Sequence, residues 1–198
     1  MHQYATDSQE RRNVIMGIAL LSVALAFGLH RFAEAVSYEI PWWIDAPSIW
    51  GISGTLYAFF DKWLWRHCLL RKVGVVRVPD LGGKWRGRGF TSFEEGKPYE
   101  VELEIRQTWT RLSVHLETAQ SISRSLTASL SVNEPEGPVL TYEYRNEPKP
   151  NAPPSMHSHR GTAVLRLRNN DCLEGEYYSG RDRQNYGSLR LKRVGHVC

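Results

Sequence analysis

The segment YEVELEIRQTW, residues 99–109, alternates without a break. Tyr99, Val101, Leu103, Ile105, Gln107 and Trp109 fall on one side, and Glu100, Glu102, Glu104, Arg106 and Thr108 on the other. Successive side chains of a β-strand point to opposite faces, so this period of two specifies a strand with one wet face and one face turned to a core. The buried face carries one polar residue, Gln107, whose amide costs about 1–3 kcal/mol to bury unless it is hydrogen-bonded.

From Gly82 onward the alternation recurs in eight short runs: residues 84–91, 99–109, 111–118, 124–132, 139–145, 160–168, 173–179 and 187–193. The breaks between them include EGKP, EPEGP, NND and RDRQN, which are turn chemistry, and residues 146–158 form a longer proline-rich loop over the surface or mouth. Eight closely spaced antiparallel strands are expected to close into an up-and-down barrel, which leaves no edge and encloses room for packed side chains or one small ligand. Gly83-Lys84-Trp85 resembles the first strand of a lipocalin-like barrel, in which a tryptophan plugs one end.

The N-terminal third differs in kind. Residues 14–29 (VIMGIALLSVALAFGL) carry no charge, and with His30, Arg31 and Phe32 at the interface they reach the length of a membrane span. A second span is expected over residues 47–60 and on toward Trp65, with Trp42, Trp43 and Trp50 near one end and Trp63 and Trp65 near the other. Arg11 and Arg12 precede the first span, while Lys62, Arg66, Arg71, Lys72 and Arg77 follow the second. That asymmetry places both termini in the cytoplasm, and Glu34, Glu39 and Asp45 in a short outer loop. Ala33-Glu34-Ala35 offers a signal-peptidase alternative, but His30-Arg31 interrupts its approach. The fold class expected is therefore two N-terminal transmembrane α-helices, within residues 1–75, followed by an all-β, eight-stranded antiparallel barrel at 76–198.

Cys68, Cys172 and Cys198 have no spacing suited to a metal or a disulfide framework, as expected of reduced thiols. The net charge of +4 comes partly from the juxtamembrane cluster, which suits anionic lipid and is no argument for a DNA or RNA polymer. His157-x-His159 has no third ligand at a convincing spacing, so no metal is expected. No nucleophile elbow, phosphate-binding glycine loop or nucleophile with a base is present, and neither an enzyme nor a cofactor is indicated.

Alternation turns Trp85, Leu103, Ile105, Val114, Leu116, Leu126, Leu130, Leu140, Leu165, Leu167, Leu173, Leu189 and Leu191 inward as ordinary core. Gln107, Trp109, Tyr142, Tyr144 and Tyr177 bring flat rings and polar tips into the same enclosure. Two readings stand side by side: tyrosine hydroxyls and water satisfy Gln107, or the rings stack on a planar ligand whose edges the polar groups read. Arg160 with His157 and His159, and Arg181 with Arg183, fall at strand ends where phosphates could be met by guanidinium forks.

The run LTYEYRNEPKP at 140–150, with HRGT at 159–162, LEGEYY at 173–178, R-x-RQN-x-G at 181–187, GKW at 83–85, QTW at 107–109 and S-x-S-x-S at 121–125, resembles the two-transmembrane β-strand-rich effectors of bacterial CBASS anti-phage defence. The resemblance spans the whole chain. It implies a cytosolic barrel that binds a cyclic dinucleotide made on infection by a cyclic-oligonucleotide synthase. It further implies self-association of copies in the inner membrane, damage to the lipid bilayer and death of the infected cell. Two other functions compete: a membrane-tethered, lipocalin-like carrier of an apolar ligand, and a tethered hydrolase. The ligand-binding residues expected are Gln107, Trp109, Tyr142, Tyr144, Arg160, Tyr177 and Arg181.

Overall fold

A computed structural model describes residues 1–37, 42–92, 96–169, 171–180 and 185–195. Its contacts divide the chain into two units, Gln9–Arg77 and a second one that joins Met1–Ser8 to Val78–Cys198.

In the first unit, α1 (Glu10–Ala35) covers the first expected span and α2 (Trp42–Lys62) the second, beginning five residues ahead of Pro47. A 3-10 turn (Leu64–Arg66) and the short α3 (Cys68–Lys72) follow. Ser37, in the left-handed region at φ 58°, ends the first helical stretch by donating its N–H to the Glu34 carbonyl at 2.9 Å. α1 packs on α2 and buries Val14, Ser22, Ala26 and Ala33. Around the rest of α1, Met16, Leu20, Phe27 and Phe32 are exposed, the reverse of a soluble amphipathic helix. Its 26 residues reach about 39 Å at 1.5 Å per residue, enough for a hydrocarbon core of roughly 30 Å. Among the described residues α1 alone combines the length and apolar composition needed to cross a membrane. Trp50 and Trp63 are exposed, but Trp65 is fully buried, because the chain leaves the helical path at Trp63 and turns Trp65 inward.

The second unit is an eight-stranded antiparallel barrel: β3 (Gly83–Thr91), β4 (Pro98–Gln107), β5 (Arg111–Glu117), β6 (Ser121–Ser131), β7 (Val139–Pro148), β8 (His159–Arg168), β9 (Cys172–Ser179) and β10 (Tyr186–Val194). Sequential neighbours pair throughout, β3 pairs with β10, and β5 pairs with β6, which closes the ring. The alternation of 99–109 is realised in full: Val101, Leu103, Ile105 and Gln107 are buried while Glu100 and Arg106 are exposed.

Two features depart from the sequence expectation. Leu126 is exposed rather than inward, because the β6–β7 register shifts between Ser125 and Thr127; the extra residue inverts the facing, so Ser123 is buried before it and Ala128 and Leu130 after it. The other concerns the closure. β5 and β6 pair only from His115↔Arg124 to Glu117↔Ile122 and then diverge. Two short strands fill that divergence, β1 (His2–Gln3) antiparallel to β5 and β2 (Ala5–Thr6) parallel to β6. Tyr4 between them is buried, and its hydroxyl donates to the Trp109 carbonyl at 2.6 Å. Asp7 completes the strap by accepting from the backbone N–H groups of Val132 and Asn133 at 2.8 and 3.2 Å. Residues expected to belong with the membrane helices are thus part of the barrel wall.

Candidate functional site

The interior has two halves of different composition. Toward the β4–β5 hairpin the inward residues are bulky: Trp85, Ile105, Leu112, Leu140, Leu165, Leu173 and Leu191 are all essentially inaccessible. Each buried Leu or Ile contributes about 1.5–3 kcal/mol, so this half is the barrel's hydrophobic core.

Gln107 and Trp109 belong to that filled end. The chain ahead of β3 crosses beneath the barrel, and Gln107 holds it there: Oε1 accepts from Leu81 N–H at 2.7 Å and Nε2 donates to the Pro79 carbonyl at 3.1 Å. The buried amide that the sequence left open is satisfied by backbone. Trp85 Nε1 donates to the Leu81 carbonyl at 3.0 Å. Arg193 lays its guanidinium 4.3 Å from the Trp85 ring centroid and donates to the Gly82 and Asp80 carbonyls at 2.7 and 2.6 Å. This end is a plug of rings and hydrogen bonds.

In the opposite half small and aromatic residues replace most of the bulky aliphatic ones, leaving Leu116 and Leu189 among them, and a cavity of about 820 Å³ results. Its lining includes Tyr99, Leu116, Ser121, Ser123, Tyr142, Tyr144, Asn146, His159, Ala163, Tyr177 and Ser179, with Met156 from the proline-rich loop at the mouth. The tyrosines do not fill the space, because each lies against a residue with little or no side chain on the next strand. The register sets Tyr99 opposite Gly89, Tyr177 opposite Gly187, Tyr144 opposite Gly161 and Tyr142 opposite Ala163. A Cβ at any of those three glycines would overlap the facing ring or hydroxyl, so the rings lie along the wall. Tyr99 donates to the Tyr177 hydroxyl at 3.0 Å, and the Tyr142 and Tyr144 ring centroids are 6.2 Å apart.

Burial pushes the Tyr99 phenol well above its ordinary range, with neighbouring Tyr177 adding to the effect, and burial does the same to Tyr142. Both remain neutral hydroxyls at physiological pH, apolar faces with a polar edge. Polar groups gather closer to the mouth. Ser123 Oγ donates to Asn146 Oδ1 at 2.7 Å across the β6–β7 pair, and Asn146 stands opposite His159 on β8. Lys97 and His159 are the described lining residues able to carry positive charge.

Of the residues expected from sequence, Tyr142, Tyr144 and Tyr177 meet in this cavity. Gln107 and Trp109 do not, since they lie at the plug. Arg160 points away from the lumen: its strand turns His159 and Gly161 inward, leaving Arg160 exposed on the outer wall, 3.8 Å from Glu143. Arg181 and its neighbour Arg183 lie outside the described residues. Sequence reasoning passed over Tyr99, Ser123 and Asn146 as site residues. Tyr99 has the right parity in its strand, and Asn146 continues the parity of Tyr142 and Tyr144; ending the strand at Arg145 hid it.

The chain is similar to known proteins over most of its length. A profile described as "Cap15, cyclic dinucleotide receptor domain" matches residues 76–193, and one described as "Cap15, TM helices" matches residues 12–66. The chain is 40% identical over 148 residues to CD-NTase-associated protein 15 of Yersinia aleksiciae, covering 74% of this chain and 70% of that one. It is 27% identical over 153 residues to CD-NTase-associated protein 15 of Staphylococcus schleiferi, covering 77% and 81%. Among solved structures, a designed fluorescence-activating β-barrel aligns with 58% of this chain and 94% of its own at 20% identity and a TM-score of 0.37.

Proposed function

This chain belongs to the Cap15 family of CBASS-associated cyclic dinucleotide receptors, and from that premise we propose that the tyrosine-lined cavity is where the dinucleotide binds. The observation that carries the reading is the contrast between the two halves of one barrel. One end is packed solid, while the other is held open by four tyrosines lying against glycine or alanine. Rings laid along a wall offer stacking faces to any base, and stacking contributes about 1–3 kcal/mol per base. Serine, asparagine and histidine near the mouth supply the hydrogen bonds that an apolar ligand would not use, which favours a nucleotide over a fatty acid.

In this reading the protein is a receptor and performs no chemistry. The dinucleotide comes from a CBASS synthase, and occupancy of the barrel drives self-association of copies in the inner membrane, with loss of its integrity and death of the infected cell. Both helices span the membrane, and the barrel and both termini lie in the cytoplasm, as the flanking lysines and arginines favour. Three small-residue faces, Ala24/Gly28, Gly51/Thr55 and Gly54/Ala58, point outward from the helix pair and suit close contact between copies.

Calorimetric titration of the full-length protein in lipid nanodiscs with a panel of cyclic and matching linear dinucleotides tests the site. Binding of one cyclic species at a Kd of about 1 μM or tighter, roughly −8 kcal/mol, supports it. Dye release from vesicles carrying the protein, appearing only with that ligand, tests the membrane step. Copurified fatty acid in the cavity and no nucleotide binding by folded protein would turn the reading toward a lipid carrier.

A further inference from the structure

Residues 67–75 lie between the two stretches that the Cap15 profiles match, yet they are folded. The helical path of α2 breaks at Trp63, where φ is −129°, runs through the 3-10 turn Leu64–Arg66, and extends at His67, with ψ at 129°. α3 then starts afresh. The His67 side chain accepts from the Leu69 N–H at 3.4 Å, and Gly74, at φ 75°, closes the other end. There the Gly74 N–H donates to the Arg71 carbonyl at 3.1 Å and the Val75 N–H to the Leu70 carbonyl at 2.9 Å, the paired bonds of a Schellman cap. A helix of five residues falls well short of the roughly 12–15 that stand alone in water, so it needs a surface to pack on.

What it presents is apolar and basic together. Leu69 and Val73, one turn apart, are 57% and 62% exposed, and Trp63 and Leu64 ahead of them are exposed as well. Residues 62–79 hold five cationic side chains, Lys62, Arg66, Arg71, Lys72 and Arg77, and no aspartate or glutamate. Lys62 Nζ lies 5.6 Å from the Trp63 ring centroid and the Arg66 guanidinium 5.4 Å from that of Trp65, so charge and ring sit side by side. A second copy of the same surface would bring like charges together. An anionic leaflet suits both components, because its acyl boundary takes the apolar side chains and its phosphates take the cations. The segment also continues directly from α2, within the stretch matched as TM helices.

We propose that residues 62–77 are an interfacial anchor, which lays Leu69 and Val73 into the headgroup–acyl boundary of an anionic leaflet and meets lipid phosphates with Lys62, Arg66, Arg71 and Lys72. The proposal rests on α2 spanning the membrane and is independent of the cavity and its ligand.

The test uses full-length protein in nanodiscs, without dinucleotide, with Cys68, Cys172 and Cys198 replaced by serine. One bimane-labelled cysteine is introduced at a time: Val73→Cys in the anchor, Phe59→Cys in α2 and Lys192→Cys on the outer wall of the barrel. Quenching by lipids brominated near the headgroup end of the acyl chain, set against quenching by aqueous iodide, reports what each probe meets. With about one third phosphatidylglycerol in phosphatidylcholine, the probes at 59 and 73 should be quenched by lipid, and that at 192 by iodide alone. Omitting phosphatidylglycerol, adding about 1 M sodium chloride, or combining Arg71→Gln with Lys72→Gln should each lower lipid quenching at 73 by about twofold and leave that at 59 unchanged. A probe at 73 open to iodide and untouched by lipid overturns the proposal. So does one shielded from both quenchers, which indicates a protein partner, and so does lipid quenching at 73 that is indifferent to charge. If the probe at 59 also fails to meet lipid, α2 does not span the membrane, and the proposal falls with that reading.

Discussion

The hydroxyls of Tyr99 and Tyr177 meet at 3.0 Å although β3 and β10 lie between their strands. Tyr99 reaches across Gly89, and Tyr177 reaches across Gly187, so two rings cover the inner face of two central strands. At about 4.8 Å per strand this joins residues three strands apart, and it turns a stretch of wall into an aromatic surface.

Gly89→Ala tests that surface. The methyl would strike only the outer end of the Tyr99 ring, a side chain able to swing into the lumen, so the fold should survive with a stability change under about 1 kcal/mol. The displaced ring takes up ligand space, and affinity for the cyclic dinucleotide should drop by about tenfold. Calorimetry read beside thermal melting separates the two effects.

Gln107 should behave in the opposite way. Gln107→Leu leaves the Leu81 N–H and the Pro79 carbonyl without partners at the plug, at a cost of about 1–3 kcal/mol each for buried groups. Denaturant midpoints should fall, while the protein that remains folded should keep its ligand affinity. A loss of affinity without a loss of stability would return Gln107 to the binding site.

Arg160→Ala should change affinity by less than about twofold, because Arg160 is exposed on the outer wall and its contact with Glu143 is a surface ion pair. Lys97 and His159 line the cavity itself, and their alanine variants should weaken binding with a strong dependence on salt.

The strap makes a prediction about dynamics. Removing Met1–Ser8 takes away Tyr4 and both short strands, and should raise hydrogen exchange in β5 at 111–114 and in β6 at 126–130, where no other strand covers the divergence. Tyr4→Phe, which loses only the hydrogen bond to the Trp109 carbonyl, should cost about 1 kcal/mol.

The buried phenols fix a pH dependence. Tyr99 and Tyr142 hold their protons more tightly in the folded state than when unfolded, first through burial. The stability they contribute is therefore complete below about pH 10 and is lost as pH rises beyond it. Melting temperature should hold from pH 7 to 9 and fall above 10, and Tyr142→Phe should fall less steeply over that upper range.

The sequence by itself determined the elements. An uncharged run of apolar residues has one stable use beside lipid, and unbroken alternation has one stable backbone, so the first helix and the eight strands were legible from local pattern. Tyr142, Tyr144 and Tyr177 were legible as inward rings for the same reason. Parity, however, says which face a side chain takes and not how far along the barrel it sits. Gln107 and Tyr144 share a face type, yet one lies in the plug and the other in the cavity, because strand register against neighbours sets the depth. Register also decided which tyrosine met which glycine, and hence that the open half is hollow. The bulge that turned Leu126 outward arises in the pairing of β6 with β7, and the N-terminal strap that seals β5 against β6 arises between segments distant in sequence. Such pairings are settled only when the sheet closes on itself.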